Sequence, residues 1–211
     1  MRGGTPTHLP TTPRLEATLL DRLVVGYLLA FCLCLAVLGR DDPVWVGRLV
    51  FNLGLVTAIL AMIRWWGGRT RGVPGFLRQL YPGLLYPYFY WQMQTAVHWL
   101  ISHFLDHQVV AVERSIFGVD PNIWIQSAQL APLNEWMMAG YFSYYFLIPV
   151  VALPLHFRHR HTEVRRLLTA TTIAFLVSYV GFVLYPVEGP RFFLASQLGE
   201  PLSGWVFVPL V

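Results

Sequence analysis

Lysine is absent from this 211-residue chain, and charged residues of any kind are scarce. All 15 basic residues are arginines, and together with 11 acids they make up only 12% of the chain, whereas soluble domains carry about 25% charged residues. This scarcity excludes a soluble enzyme and a disordered chain. The two cysteines, Cys32 and Cys34, lie in one apolar stretch, which excludes a disulfide scaffold. Arginine without lysine is typical of a G+C-rich bacterial genome.

Where charge is missing, hydrophobic residues form long windows. They make up 55% of the chain, and five windows contain no Asp, Glu, Lys or Arg. A helix needs about 20 predominantly apolar residues to cross a bilayer. The windows, the second of them extended by flanking tryptophans, therefore predict an all-α, polytopic membrane helix bundle with five spans. The windows are residues 23–39, 49–63, 79–105, 136–157 and 167–187.

The charges between the windows are distributed unevenly, and this indicates an orientation. If the windows alternate across the bilayer, the segments on the side of the N-terminus sum to +8 and the opposite segments to −4. Cytoplasmic loops of membrane proteins are enriched in Lys and Arg. We therefore expect a plasma (inner) membrane protein with a cytoplasmic N-terminus, and no nucleic-acid partner. Residues 1–20 are expected to form a flexible cytoplasmic tail, and residues 21–211 the membrane-embedded domain.

Two parts of the chain differ from simple spans. The third window contains two prolines and predicts a kinked helix that ends near Phe104. Residues 106–133 mix apolar and charged residues at helical spacing, with Gly118 as a stop signal. They predict two short amphipathic helices at the outer membrane surface, between spans 3 and 4, of which the second covers residues 123–130. The acids expected to face outward here are Asp106, Glu113 and Asp120.

The most informative segment, residues 185–192, follows the fifth window. It reads Tyr-Pro-Val-Glu-Gly-Pro-Arg-Phe, so a proline ends the helix, and Gly189 and Pro190 predict a turn. Arg191 then emerges at the outer interface. Its planar guanidinium can donate two parallel hydrogen bonds to a phosphate ester. From the residues alone, a phosphate-binding role and a simple interfacial anchor both remain open for Arg191.

Four segments carry a family resemblance: Arg78–Pro82, Asp106–Pro121, Tyr141–Tyr145 and Tyr185–Phe192. Together they resemble the type 2 phosphatidic acid phosphatase superfamily, in particular the branch related to inositol phosphorylceramide synthases. The resemblance covers about residues 20–211. Its most specific part is the last segment, which is similar to the Pro-Arg tract before that branch's catalytic motifs. It implies a six-helix membrane core that acts on phosphate esters at the non-cytoplasmic face, without a cofactor.

The resemblance also implies a mechanism. In the family, one histidine attacks phosphorus to form a phosphohistidine, and a second, held by an aspartate, protonates the leaving alkoxide. Arg or Lys side chains stabilise the phosphoryl oxygens. Arg191 matches the phosphate-binding basic residue of the first motif, whereas the usual Lys of that motif has no counterpart. Membrane lipids and a phosphorylated lipid substrate are the expected partners, and no metal is expected. Candidate pocket-lining residues are Tyr144, Tyr145 and Pro190, with simple helix packing as the alternative for the two tyrosines.

The sequence departs from the family after Arg191. The second motif, Pro-Ser-x-His, does not occur there, and neither does the histidine followed by an aspartate of the third motif. We therefore expect the catalytic histidines beyond Val211, in a chain cut before its active site, with five spans of an expected six. Two hypotheses remain: the N-terminal part of a membrane lipid or isoprenoid phosphatase or phosphotransferase, and a non-catalytic scaffold or remnant.

Overall fold

The fold of the chain is all-α, as its composition predicts. The computed structural model describes residues 17–67, 72–126, 130–197 and 204–208, and within them it contains eight helices and no strand. The predicted helical class is therefore confirmed. The helices are α1 (Leu19–Leu38), α2 (Trp45–Trp66), α3 (Gly72–Ala96), α4 (Asp106–Phe117), α5 (Pro121–Gln126), α6 (Ala131–Phe157), α7 (His161–Leu184) and α8 (Pro190–Phe193).

Among the described residues, α1, α2, α6 and α7 are long and apolar enough to cross a membrane. These four correspond to four of the predicted windows. The remaining predicted span is α3, a helix of 25 residues that contacts α1, α2, α6 and α7. Its limits differ from the prediction. It begins at Gly72, with Pro74 in the first turn, where proline is tolerated, and it ends at Ala96 rather than near Phe104.

The core of the bundle lies between α1, α3 and α7. On α7, Val164, Leu168 and Thr172 recur every four residues, so they lie on one face of the helix, and each is at most 1% exposed. The Tyr86 hydroxyl on α3 donates to the Leu168 carbonyl oxygen at 3.1 Å and lies 2.9 Å from the Thr172 hydroxyl. Such internal partners replace the water that a bilayer core cannot supply. Hydrogen bonds as well as apolar packing therefore fix α3 to α7.

A buried ion pair joins the first turn of α1 to the second turn of α3. Asp21 is fully buried, and its Oδ1 accepts hydrogen bonds from Arg78 Nη1 and the Tyr81 hydroxyl, both at 2.7 Å. Its Oδ2 accepts from the backbone N–H of Thr18 at 2.8 Å, which closes a capping box at the start of α1. We call this side of the bundle the Asp21 end. Helix α1 thus begins at Leu19, inside the predicted tail, and residues 1–16 lie outside the described residues.

A network of uncharged polar side chains joins α1, α2 and α3 between the two ends of the bundle. Gln92 is 1% exposed and Asn52 is fully buried. Gln92 donates to Asn52 Oδ1 at 2.7 Å and to the Tyr88 hydroxyl at 3.0 Å, and it accepts from the Tyr27 hydroxyl at 3.3 Å. Hydrogen bonds of this kind between membrane helices contribute about 0.6–2 kcal/mol each. The network therefore fixes the register of the first three helices.

The two predicted amphipathic helices are α4 and α5, at the opposite side of the bundle, which we call the Asp106 end. Helix α4 ends at Gly118, whose φ of 73° is the left-handed conformation that glycine favours, as predicted. Helix α5 begins at Pro121, earlier than the predicted Ile123, because Asp120 accepts the backbone N–H of Asn122 at 3.1 Å and caps it. Residues 127–129 of the predicted second helix lie outside the described residues.

Candidate functional site

The turn after α7 is the centre of the candidate site. Helix α7 ends at Leu184, before Pro186, as the proline predicts. Gly189 has φ 97° and ψ 158°, a region that only glycine occupies readily. Its carbonyl oxygen accepts the N–H groups of Phe192 and Phe193, at 3.1 and 3.0 Å, and so starts the short helix α8. The sequence Gly-Pro-Arg is therefore folded into a defined turn.

Asp106, the first residue of α4, holds this turn. Its Oδ2 accepts the N–H of Glu188 at 2.9 Å, and its Oδ1 accepts the N–H of Gly189 at 2.8 Å. The adjacent N–H of Leu105 donates to the Pro186 carbonyl oxygen at 2.8 Å. The expectation that Asp106 faces outward is wrong: the residue is only 4% exposed, because its carboxylate is occupied by backbone groups of the turn.

The other two acids of this segment, Asp120 and Glu113, differ in burial. Asp120 is 7% exposed, so its predicted outward position is also wrong. It caps α5 and lies 3.8 Å from the half-exposed Arg114 guanidinium. Glu113 is partly buried and accepts a hydrogen bond from Asn122 at 3.4 Å. Local helix capping, not solvent contact, therefore accounts for the position of Asp120.

Arg191 lies in α8, directly after the anchored turn. Its side chain is exposed, and its guanidinium carbon lies 5.9 Å from the centroid of the Phe192 ring. Pro190, one of the predicted pocket residues, is the first residue of α8 and is also exposed. The structure thus places Arg191 and Pro190 together at the Asp106 end.

The other two predicted pocket residues lie on α6. Tyr144 and Tyr145 are 50% and 59% exposed, and their ring centroids are 5.9 Å apart. The Tyr145 hydroxyl lies 3.4 Å from the Tyr141 hydroxyl, one helical turn away. Both tyrosines therefore lie on an exposed face of α6, and their role in a pocket stays a prediction.

Comparison with known protein families gives a match for the segment that contains the Gly189 turn. Residues 107–207 match the PAP2 superfamily. The match begins at the second residue of α4 and includes α5, α6, α7 and the turn with Arg191; the first three helices precede it. This match supports the resemblance of the chain to the PAP2 superfamily, and its apolar helices fit a membrane protein. No curated protein and no solved structure matches the chain.

A second carboxylate anchors the last part of residues 107–207, which we call the PAP2 segment. The sequence pattern does not mark this carboxylate as an anchor. Glu135, in the first turns of α6, accepts the N–H groups of Val206 and Phe207 at 2.7 and 2.8 Å, and also that of Trp205. Consecutive backbone N–H groups that converge in this way form a nest for an anion. Gly204 lies beside it, and a Cβ there would lie 2.5 Å from Glu135 Oε1, so a larger residue would displace neighbouring side chains. The chain on either side of Arg191 is thus tied to α4 and to α6.

His156 and His161, both within the PAP2 segment, lie close together. They are at the Asp21 end, far from Arg191. His156 and His161 both direct Nδ1 at Gln79 Oε1 of α3, and the His161 distance is 3.0 Å. The Gln79 amide donates to the His161 carbonyl oxygen at 2.9 Å. Within the described residues, no group of three or more His, Cys, Asp or Glu side chains could hold a metal ion. This cluster therefore joins α3, α6 and α7 as a polar contact.

Proposed function

We propose that the protein is part of an integral membrane phosphatase or phosphotransferase that acts on phosphate esters of lipids or isoprenoids. One observation carries this proposal. Arg191 is the second residue of α8, directly after the turn held by Asp106, and lies inside the segment that matches the PAP2 superfamily. In the proposed site, the Arg191 guanidinium binds the phosphate group of the substrate at the Asp106 end.

A guanidinium at this position suits a lipid phosphate for two physical reasons. Its planar fork donates two parallel hydrogen bonds to phosphate oxygens, which the ammonium of lysine does not. An arginine is also far less costly at the membrane edge than in the hydrocarbon, where insertion costs about 2.5–3.5 kcal/mol. Arg191 can therefore meet the phosphate of a lipid whose chains stay in the bilayer. Tyr144, Tyr145 and Pro190 line the headgroup pocket in this proposal.

The proposed site faces the non-cytoplasmic side of the plasma membrane. The support is the charge asymmetry of the sequence: the segments predicted on the side of the N-terminus sum to +8 and those predicted on the opposite side, to which Asp106 and Arg191 belong, sum to −4. The residue pattern of 185–192 supports the branch related to inositol phosphorylceramide synthases. Transfer of a phospho-headgroup therefore stands beside hydrolysis, since both reactions pass through a phosphohistidine.

The proposed enzyme also needs a histidine that attacks phosphorus, in addition to Arg191. The 211 residues contain no Pro-Ser-x-His pattern, so the catalytic histidines of the proposed enzyme lie outside them. The same observation favours the second candidate, a non-catalytic scaffold or remnant. The DNA that follows the codon of Val211 separates the two. An open reading frame with Pro-Ser-x-His and then a histidine followed by an aspartate supports the enzyme, and an immediate stop codon supports the scaffold.

The binding role of Arg191 is tested with orthovanadate, a phosphate analogue, on the protein in lipid nanodiscs. We expect Arg191→Ala to weaken orthovanadate binding at least about tenfold, because a charge-assisted contact is lost. Arg114→Ala, which removes a half-exposed arginine at the same end, is the matched control and should bind as the wild type does. In a gene product that includes the histidine motifs, Arg191→Ala should lower phosphate release about 100-fold. Unchanged binding and release would refute the role of Arg191.

A further inference from the structure

The buried carboxylate of Asp106 has a function that the superfamily match does not assign, since the match begins one residue later. We infer that Asp106 is a positioning residue, which fixes the Gly-Pro-Arg turn so that the Arg191 guanidinium is oriented toward a phosphate group. The inference rests on the proposed function, because it names the residue that orients the proposed phosphate ligand.

The first step of the argument is the use of both carboxylate oxygens. Each accepts one backbone N–H, from Glu188 at 2.9 Å and from Gly189 at 2.8 Å, and these residues are 82 and 83 positions away in the chain. A carboxylate is costly to bury unless its oxygens are hydrogen-bonded. The burial of Asp106 to 4% exposure is therefore compensated by the turn itself. Removal of the carboxylate would leave two backbone N–H groups of the turn without their acceptor.

The second step is the short, stiff connection from this anchor to Arg191. Gly189 is held at φ 97°, and its carbonyl oxygen accepts the first two N–H groups of α8 that follow Arg191. Pro190 has a ring-fixed φ of about −65°. Once Asp106 has fixed the N–H of Gly189, few backbone rotations remain before the Cα of Arg191. The position of the Arg191 Cα, and the direction in which its side chain leaves the backbone, are thus set from α4.

The third step is that neighbouring contacts hold the same turn against the same helix. The Leu105 N–H donates to the Pro186 carbonyl oxygen at 2.8 Å, and the Tyr185 hydroxyl donates to Gln108 Oε1 at 3.2 Å. These bonds keep the end of α7 beside α4 when the carboxylate is changed. Loss of the Asp106 carboxylate should therefore loosen residues 188–191 and leave the helix bundle folded.

The test uses the Asp106→Asn variant, which keeps the size of the side chain and removes the charge and one acceptor oxygen. Hydrogen exchange of the peptide that contains Glu188 and Gly189 is measured on protein in nanodiscs, together with orthovanadate binding. We expect exchange in this peptide to rise about tenfold or more, and orthovanadate binding to weaken by a similar factor. Asp106→Ala should do so more strongly. Glu113→Gln, which also removes an acid from α4, is the control and should change neither quantity.

The outcomes separate this inference from the proposed function. Faster exchange with weaker binding in Asp106→Asn, and a wild-type unfolding temperature, support the positioning role. Faster exchange with unchanged binding overturns it, while Arg191→Ala still tests the phosphate site on its own. If Arg191→Ala leaves binding unchanged, the proposed function fails first, and the positioning role fails with it. Faster exchange throughout the helices of Asp106→Asn would show a merely structural role and would also overturn the inference.

Discussion

Removal of Arg78 should destabilise the bundle more than removal of both charges of its ion pair. Arg78→Leu leaves the fully buried Asp21 carboxylate with only Tyr81 and the Thr18 cap as partners. An uncompensated buried charge of this kind costs about 3–5 kcal/mol. The added substitution Asp21→Asn removes that charge and keeps an acceptor for Tyr81. We therefore expect the double variant to be about 2 kcal/mol more stable than Arg78→Leu alone.

The free energy of unfolding can be measured by SDS titration of the protein in mixed micelles, followed by the fluorescence of its eight tryptophans. The control is Glu163→Gln, which breaks the exposed Arg160–Glu163 pair at the same end and should cost less than about 1 kcal/mol. Equal stability of Arg78→Leu and the double variant would refute the reasoning. So would a cost for Arg78→Leu no larger than that of the control.

Three further predictions concern the turn, the polar network and the topology. Gly189→Ala forces an alanine to φ 97° and ψ 158°, which should cost about 1–3 kcal/mol in the same SDS titration; an unchanged midpoint would contradict the assigned backbone. Gln92→Leu removes the hydrogen bonds of Gln92 with Asn52 Oδ1 and with the Tyr27 hydroxyl and should cost about 1–2 kcal/mol, whereas Gln94→Leu, at an exposed position of α3, should cost little. An alkaline phosphatase reporter fused after Arg191 should be active outside the cytoplasm, and one fused after Arg160 should not; the reverse result would discard the orientation.

Counting charges predicted the spans well where the helices meet lipid, and poorly where charges are paired inside the protein. Four of the windows correspond to α1, α2, α6 and α7, because an unpaired charge is costly in lipid. The third window starts too late, at Gln79, because a charge-free window has to end at Arg78. In the structure Arg78 lies inside α3 and is neutralised by Asp21 of α1. A window count does not detect a charge compensated by a residue 57 positions away.

Some features of the candidate site depend on single residues, and these are predictable from the sequence. Others depend on contacts between residues far apart in the chain. The stop at Gly118 and the turn at Gly189 follow from the conformational freedom of glycine, so the sequence predicts them directly. The contact of Asp106 with Gly189 spans 83 residues and involves a backbone N–H, which no side-chain pattern marks. A buried carboxylate and an exposed one look the same in sequence. For this reason the sequence does not mark Asp106 and Glu135 as anchors, although it does predict the turn before Arg191.

The Tyr86–Leu168 hydrogen bond bears on whether the PAP2-matching part of the chain can fold as a separate polypeptide. Leu168 and Thr172 belong to residues 107–207, but Tyr86 does not. A polypeptide of residues 107–207 alone would expose this polar pair and the buried face of α7 to lipid, and it would also lack Asp106. The boundary of sequence similarity is therefore not a boundary of autonomous folding. Chimaeras with related proteins should exchange α3 and α7 together.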